Sequence, residues 1–290
     1  MNERYVRADL AELLSDVDLF RQMDQLGGTT YRSVAGRKTS RVRLLGNTFF
    51  LKRHRGVGWT EILKSLLSLR WPVLSARNEF EAARALAAVG VSVPEPIAFA
   101  VRGLNPASLD SFVLSQAIEP SISLEDLVAK WDREPPSLGE RRALITAVGD
   151  IVRRMHRAGI NHRDLYICHF LLRDESTVQQ TAKPPLTLID LHRAQVRASV
   201  PTRWLIKDLG ALLFSVLNVP LSERDLLRFL QAYSAHGRDR AADSAQFRLQ
   251  LLDPERQAFW GLVRRRAMRL YEEALRKKLV TGAPRILLDD

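Results

Sequence analysis

The chain predicts an α+β fold in two parts, a strand-rich first third and a helical remainder, and three observations carry that prediction. Runs of strand character flank a glycine turn early in the chain, at Arg41–Leu44 and Thr48–Leu51. Apolar stripes at helical spacing dominate after residue 120. Between the two, the prolines of Val91–Pro96 hold an extended connector.

Taken in order, Leu45-Gly46-Asn47 reads as the turn of a hairpin, with Lys52 at the end of its second strand. A basic stretch containing Gly56 and Gly58 follows. The run Ser75–Val89 is rich in Ala, Leu, Glu and Arg and stops at Gly90, the residue a helix end favours, with Glu79 in its first turns. Phe112–Leu114 is a short apolar strand. Ser123-Leu124-Glu125-Asp126 opens a helix, and Leu144, Val148, Ile151, Val152 and Met155 stripe a second that ends near Gly159. After a loop, Leu186–Ile189 forms a strand that delivers Asp190 at its end. Arg203–Leu217, Glu223–Tyr233 and Pro254–Leu279 complete the set as helices. A lobe boundary is expected near residues 116–120, with an N-terminal lobe over 1–117 and a C-terminal lobe over 118–290.

At 290 residues with 46% hydrophobic residues, the chain can build one large or two modest cores. Neither a span of about 18 apolar residues nor a signal-peptide block at the start is present, so the expected location is cytoplasmic or peripheral. One cysteine, Cys168, excludes an internal disulfide framework and a cysteine-built metal centre. It is expected to be a buried, small apolar residue. Forty-four Lys and Arg against 33 Asp and Glu leave a net charge of +11, which favours anionic partners. No zinc or RNA-binding motif points to nucleic acid, which is left out of the expected partners.

The loop His162-Arg163-Asp164-Leu165-Tyr166-Ile167-Cys168-His169 matches the H-R-D part of the protein-kinase catalytic loop, with His169 where asparagine is expected. Phosphoryl transfer needs one carboxylate to accept a proton from the attacking hydroxyl and another to hold the metal that bridges the phosphates. Asp164 and Asp190 stand in that order. Lys52 takes the place of the strand lysine that contacts the α- and β-phosphates of ATP, and Glu79, or else Glu81, is the carboxylate that steadies it. Asp208 fits an aspartate that braces the catalytic loop through its backbone N–H groups. The fold class this implies is a two-lobed protein-kinase-like fold, with ATP and Mg²⁺ as cofactors.

Two departures qualify the match. A G-x-G-x-x-G loop is missing, Gly27-Gly28 and Gly36 being the only glycines before the hairpin, so ATP contact rests more on Lys52. The segment from Asp190 to Asp208 is short and carries neither D-F-G nor A-P-E, which favours a small or sugar hydroxyl over a peptide as acceptor.

Several longer strings resemble those of the lipopolysaccharide core heptose kinases of Gram-negative bacteria. They are Ala158–Leu172 (AGINHRDLYICHFLL), Ile189–Gln195 (IDLHRAQ), Lys52–Trp59 (KRHRGVGW) and Arg102–Ala107 (RGLNPA). The likeness extends over about residues 25–235. It implies ATP-dependent phosphorylation of the 4-hydroxyl of the first inner-core heptose, on the lipopolysaccharide core precursor at the cytoplasmic face of the inner membrane. Another core sugar, protein hydroxyls, or a non-catalytic pseudokinase are the alternatives.

Through the resemblance, Asp164 is the catalytic base, Asp190 the magnesium ligand, and Lys52 with Glu79 the pair that positions ATP. His169 is a histidine in the family too, and three roles stay open for it: metal ligand, phosphate contact or packing within the loop. By analogy with kinase hinges, backbone groups of Gln116 and Ile118 bond adenine. Arg53, Arg55, Arg193 and Arg197 lie near the site in sequence and suit an anionic acceptor. The basic helix through Arg264-Arg265-Arg266 either lies on an anionic membrane surface or packs on the C-terminal lobe with a solvated basic face.

Overall fold

The computed structural model describes residues 3–14, 18–34, 36–56, 58–67, 75–173, 183–235 and 253–286. Val57, within the Lys52–Trp59 string, lies outside them. The chain gathers into two compact units, one of Met1–Ala88, Val93–Ile118 and Asp190–Gln195, the other of Val89–Ser92, Glu119–Ile189 and Val196–Asp290.

The first unit is built on a six-stranded antiparallel sheet of β1 (Glu3–Val6), β2 (Gly28–Val34), β3 (Arg37–Leu44), β4 (Asn47–His54), β5 (Pro96–Arg102) and β6 (Asp110–Gln116), in the spatial order β1-β5-β6-β4-β3-β2. Period-two alternation sorts its side chains. Phe49, Leu51, Val42, Phe112 and Leu114 face one way and pack against Leu19, Phe20 and Met23 of α1 (Leu19–Gln25). Phe99, Val101 and Val113 face the other way and meet Ala76 and, from α3 (Arg77–Ala88), Phe80, whose ring stacks on Phe99 at 4.3 Å. A further helix, α2 (Gly58–Leu67), follows β4.

The structure lengthens expected strands. The second hairpin strand continues to His54, so Lys52 lies inside it rather than at its end. The strand at Phe112–Leu114 spans Asp110–Gln116, and the proline connector ends at Pro96, where β5 begins.

The second unit is mainly helical. Ser123, in the short strand β7 (Ile122–Ser123), caps α4 (Leu124–Ala129) by accepting the Asp126 N–H at 3.1 Å. A Ser137/Glu140 capping box starts α5 (Leu138–Arg157). Gly159 then turns the chain into β8 (Ile160–Asn161) at φ +76°, and a Cβ there would stand 1.8 Å from the Arg197 carbonyl, so only glycine fits. Strands β9 (Phe170–Leu172) and β10 (Leu186–Leu188) pair antiparallel just after the H-R-D loop. Helix α6 (Thr202–Val216) is followed by α7 (Glu223–Ser234) and α8 (Pro254–Arg276).

Val263, Ala267, Tyr271 and Ala274 are the buried stripe of α8, which packs on α6 so closely that a Cβ at Gly210 would meet the Arg266 side chain at 2.6 Å. The helix carrying the arginine run is therefore packed on this unit, with Arg265 and Arg269 exposed.

Candidate active site

In the first unit, Lys52 extends from β4 beside Thr39, its partner across the β3–β4 ladder, while Arg37 stands opposite His54. Residues directly opposite in a ladder share a face, so Arg37, Thr39, Lys52 and His54 form one polar row, on the side of the sheet that carries α3. Glu79, in the first turn of α3, meets Lys52 with Oε1 2.6 Å from Nζ. Glu81 is exposed and near Arg77, so Glu79 holds the place for which the two competed. Asp190 Oδ1 lies 3.8 Å from the same ammonium. Burial pulls the Lys52 pKa down, but the charges of Glu79 and Asp190 outweigh it and leave the group above its ordinary value.

Asp190 adopts φ +63°, a left-handed conformation costly for a non-glycine residue, immediately before the 3-10 turn Leu191–Arg193. That turn brings His192 Nδ1 to 2.6 Å from Asp190 Oδ1. An ionised carboxylate only accepts, so the imidazole donates. Asp190 is thus aimed by both a lysine and a histidine, and its oxygens suit a hard cation such as Mg²⁺, which asks for one or two carboxylates rather than a full protein cage. Among the described residues no three His, Cys, Asp or Glu side chains gather as a metal cage.

In the second unit, Asp208 is fully buried in α6 and holds the loop as its sequence position suggested. It accepts the His162 N–H at 2.7 Å and the Arg163 N–H at 2.8 Å, with His156 Nε2 at 3.3 Å from Oδ2. Between those two bonds the loop turns through Arg163 at φ +74° and presents Asp164, half-buried. His162 is buried beneath and donates from Nε2 to the Ile189 carbonyl at 3.0 Å. His169 donates from Nδ1 to the Asp164 carbonyl at 2.7 Å, because a carbonyl oxygen only accepts. Its ring also stacks on that of His162.

Other sequence candidates land differently. Gln116 closes β6, and its N–H is donated to the Glu95 carbonyl at 2.9 Å; Ile118 is buried just beyond. Arg53 turns away from the Lys52 face, as period two requires, and is 8% exposed over the Phe20 ring, paired with Asp24 and Asp110. It therefore belongs to the core behind the sheet and not to an anion-binding surface. Cys168 is half-buried rather than buried. Sequence reading missed His54, His192 and the tryptophan at 204; of these only His192 had a local signal, its place two residues after a candidate metal ligand.

Comparison with known proteins meets this geometry from the other side. The model of the family described as lipopolysaccharide kinase (Kdo/WaaP) matches residues 21–233. The chain is 45% identical over 228 residues to lipopolysaccharide core heptose(I) kinase WaaP of Escherichia coli (strain K12), covering 79% of this chain and 86% of that one. It is also 45% identical over 216 residues to the enzyme of the same name from Pseudomonas aeruginosa PAO1, covering 74% and 80%. The solved structure of WaaP in complex with acyl carrier protein superposes with a TM-score of 0.75 at 35% identity, over 93% of this chain and 99% of that one. The expected fold class stands, a mixed α+β architecture of kinase type with a strand-rich N-terminal sheet and a helical C-terminal part. With the family model spanning both Lys52 and the H-R-D loop, and relatives aligned over most of its length, the chain belongs to the lipopolysaccharide kinase (Kdo/WaaP) family.

Proposed function

We propose that this protein transfers the γ-phosphoryl group of ATP to the 4-hydroxyl of the first inner-core heptose of the lipopolysaccharide core precursor. The observation that carries the kinase reading is the Lys52–Glu79 contact at 2.6 Å with Asp190 3.8 Å from the same ammonium. The heptose acceptor is supported by relatives named heptose(I) kinases at 45% identity.

Each residue then has a task. Lys52, steadied by Glu79, draws the α- and β-phosphates. Asp164 accepts the proton of the sugar hydroxyl as its oxygen bonds to the γ-phosphorus and the bond to the bridging oxygen breaks, releasing ADP. Asp208 keeps the loop that carries Asp164 in place. Asp190 is the proposed Mg²⁺ ligand, and the ion would neutralise charge developing on the phosphates. His169 is kept as a candidate metal ligand, although Mg²⁺ prefers oxygen; contact with a phosphate oxygen would instead need an N–H on its Nε2. Residues 1–117 form the lobe that positions phosphate, with backbone of Gln116 and Ile118 at adenine. Residues 118–290 form the lobe that carries the base and the acceptor.

The proposed site of action is the cytoplasmic face of the inner membrane, where the resemblance puts the acceptor. No helix among the described residues is long and apolar enough to cross a membrane. Acyl carrier protein is added as a second partner. It is supported by the relative's complex and by an apolar cavity in the second unit lined by Val128, Leu144, Leu212, Leu226 and Trp260, which suits an acyl chain.

The test is incubation of purified protein with ATP, Mg²⁺ and lipopolysaccharide whose core lacks heptose phosphate, followed by mass spectrometry and ³¹P NMR of the core. Phosphate on O4 of the first heptose is the expected product. Transfer to a different sugar or to protein would contradict the acceptor while sparing the fold. Mg²⁺-dependent ATP binding should weaken in Asp190→Ala, and wild-type behaviour there would remove the metal role.

A further inference from the structure

Trp204, in the first turn of α6, gathers four cations around one indole ring. Lys207 Nζ lies 4.3 Å from the ring centroid, and the guanidinium carbons of Arg163, Arg203 and Arg197 lie at 5.1, 5.7 and 5.9 Å. The chain brings them from three places. Lys207 is one helical turn after Trp204, on the same side of α6. Arg197 arrives on a segment pinned by its own N–H to the Gly159 carbonyl at 2.9 Å. Arg163 comes from the H-R-D loop, fixed by the Asp208 bond at 2.8 Å.

The π face attracts each cation, but the four charges repel one another, so gathering them raises the local positive potential. Arg203 and Lys207 are exposed while Arg163 and Arg197 are half-buried, which leaves the cluster reachable from solvent. Arginine forks suit carboxylates and phosphates, taking both oxygens at once. Arg163 is bonded directly to Asp164, the proposed base. All five residues belong to the unit that carries Asp164, whereas the phosphate-positioning Lys52 belongs to the other.

The geometry points to a binding site, formed by Arg163, Arg197, Arg203, Trp204 and Lys207, for an anionic substituent of the acceptor glycan, a carboxylate or a phosphate on a sugar neighbouring the one phosphorylated. This rests on the kinase reading above and extends it to how the acceptor is selected. The cluster holds the acidic sugar, and the neutral hydroxyl next to it is left facing the base.

The experiment compares wild type with the Arg203→Ala/Lys207→Ala double variant and with the charge-keeping Arg203→Lys/Lys207→Arg pair, both exposed positions that spare the core. Equilibrium binding of lipopolysaccharide lacking heptose phosphate is measured without nucleotide, then KM for that acceptor and for ATP. The acceptor Kd and KM should rise about tenfold or more in the alanine pair, with ATP KM and melting temperature unchanged, and the charge-keeping pair should recover most of the loss. Competition by a free sugar carboxylate, glucuronate, but not inorganic phosphate assigns the site to a carboxylate, and the reverse assigns it to phosphate.

Unchanged acceptor binding in the alanine pair, a matching rise in ATP KM, or competition by neither anion would overturn the site. Wild type that binds the acceptor without phosphorylating heptose would defeat the kinase reading alone, since the binding comparison still decides the cluster.

Discussion

Replacing Asp208 by asparagine removes the charge that ties α6 to the H-R-D loop. The carboxylate is fully buried and receives two backbone N–H bonds, from His162 at 2.7 Å and Arg163 at 2.8 Å. Bonds to a charged acceptor contribute about 1.5–3 kcal/mol each, and a buried donor left unmet costs a similar amount. An asparagine keeps one bond in neutral form through its amide oxygen and turns its NH₂ toward the other donor. The expected loss is about 2–4 kcal/mol, somewhat offset because a buried charge no longer has to be desolvated. For a chain of this size that lowers the melting temperature by about 3–7 °C.

Because the loop that loosens carries Asp164, turnover should fall as well, while ATP affinity, proposed to rest on Lys52, Glu79 and Asp190 in the other unit, should hold. Urea and thermal unfolding report the first quantity, and kcat with KM for ATP the second. A melting temperature within about 1 °C of wild type would refute the brace, since even one lost charged bond is worth more than that. A loss confined to ATP KM would refute the separation of tasks.

Two further perturbations bear on the first unit. Glu79→Gln should raise KM for ATP by about tenfold, because it removes the partner that offsets the burial of the Lys52 ammonium, and Lys52→Met should abolish ATP binding; an unchanged KM in Glu79→Gln would count against the pair. His54 is 3% exposed, and burial, helped by the charges of Arg37, His192 and Lys52, pushes its pKa down to about 3 from 6.5. Its depressed value means the unfolded chain takes up a proton first, so stability is full above pH 6.5 and is lost as pH falls toward 3, at about 1.4 kcal/mol per pH unit from this group. His54→Phe should flatten the denaturation curve between pH 6.5 and 5 by about 2 kcal/mol, and parallel curves would contradict the assignment.

Much of the frame was legible because its signals are local. The hairpin announced itself by alternation around Leu45-Gly46-Asn47, α3 by its composition and Gly90, and α5 by a capping serine and an apolar stripe. The strands β1, β2 and β5 were not read. In β5, Pro96–Val101 is buried at every position, so no alternation marks it, and its leading proline reads as a connector. Edge strands β1 and β2 are polar and short of apolar contrast.

Lys52, Asp164, Asp190 and Asp208 were singled out because spacing along the chain tracks the kinase order. Glu79 needed the fold to win over Glu81, since the two differ only in which side of α3 they take. Arg53 could have been excluded by applying period two to a strand that already contained Lys52. The positive φ of Asp190 and the meeting of Arg163, Arg197, Arg203 and Lys207 at Trp204 depend on tertiary structure alone and leave no trace in spacing.

The most direct test of phosphate transfer by Asp164 is single-turnover conversion of ATP on lipopolysaccharide lacking heptose phosphate, wild type against Asp164→Asn, with ATP binding measured alongside. Binding within about twofold of wild type and a phosphotransfer rate lower by about a hundredfold or more is the predicted result. Transfer at the wild-type rate by the asparagine variant would contradict it.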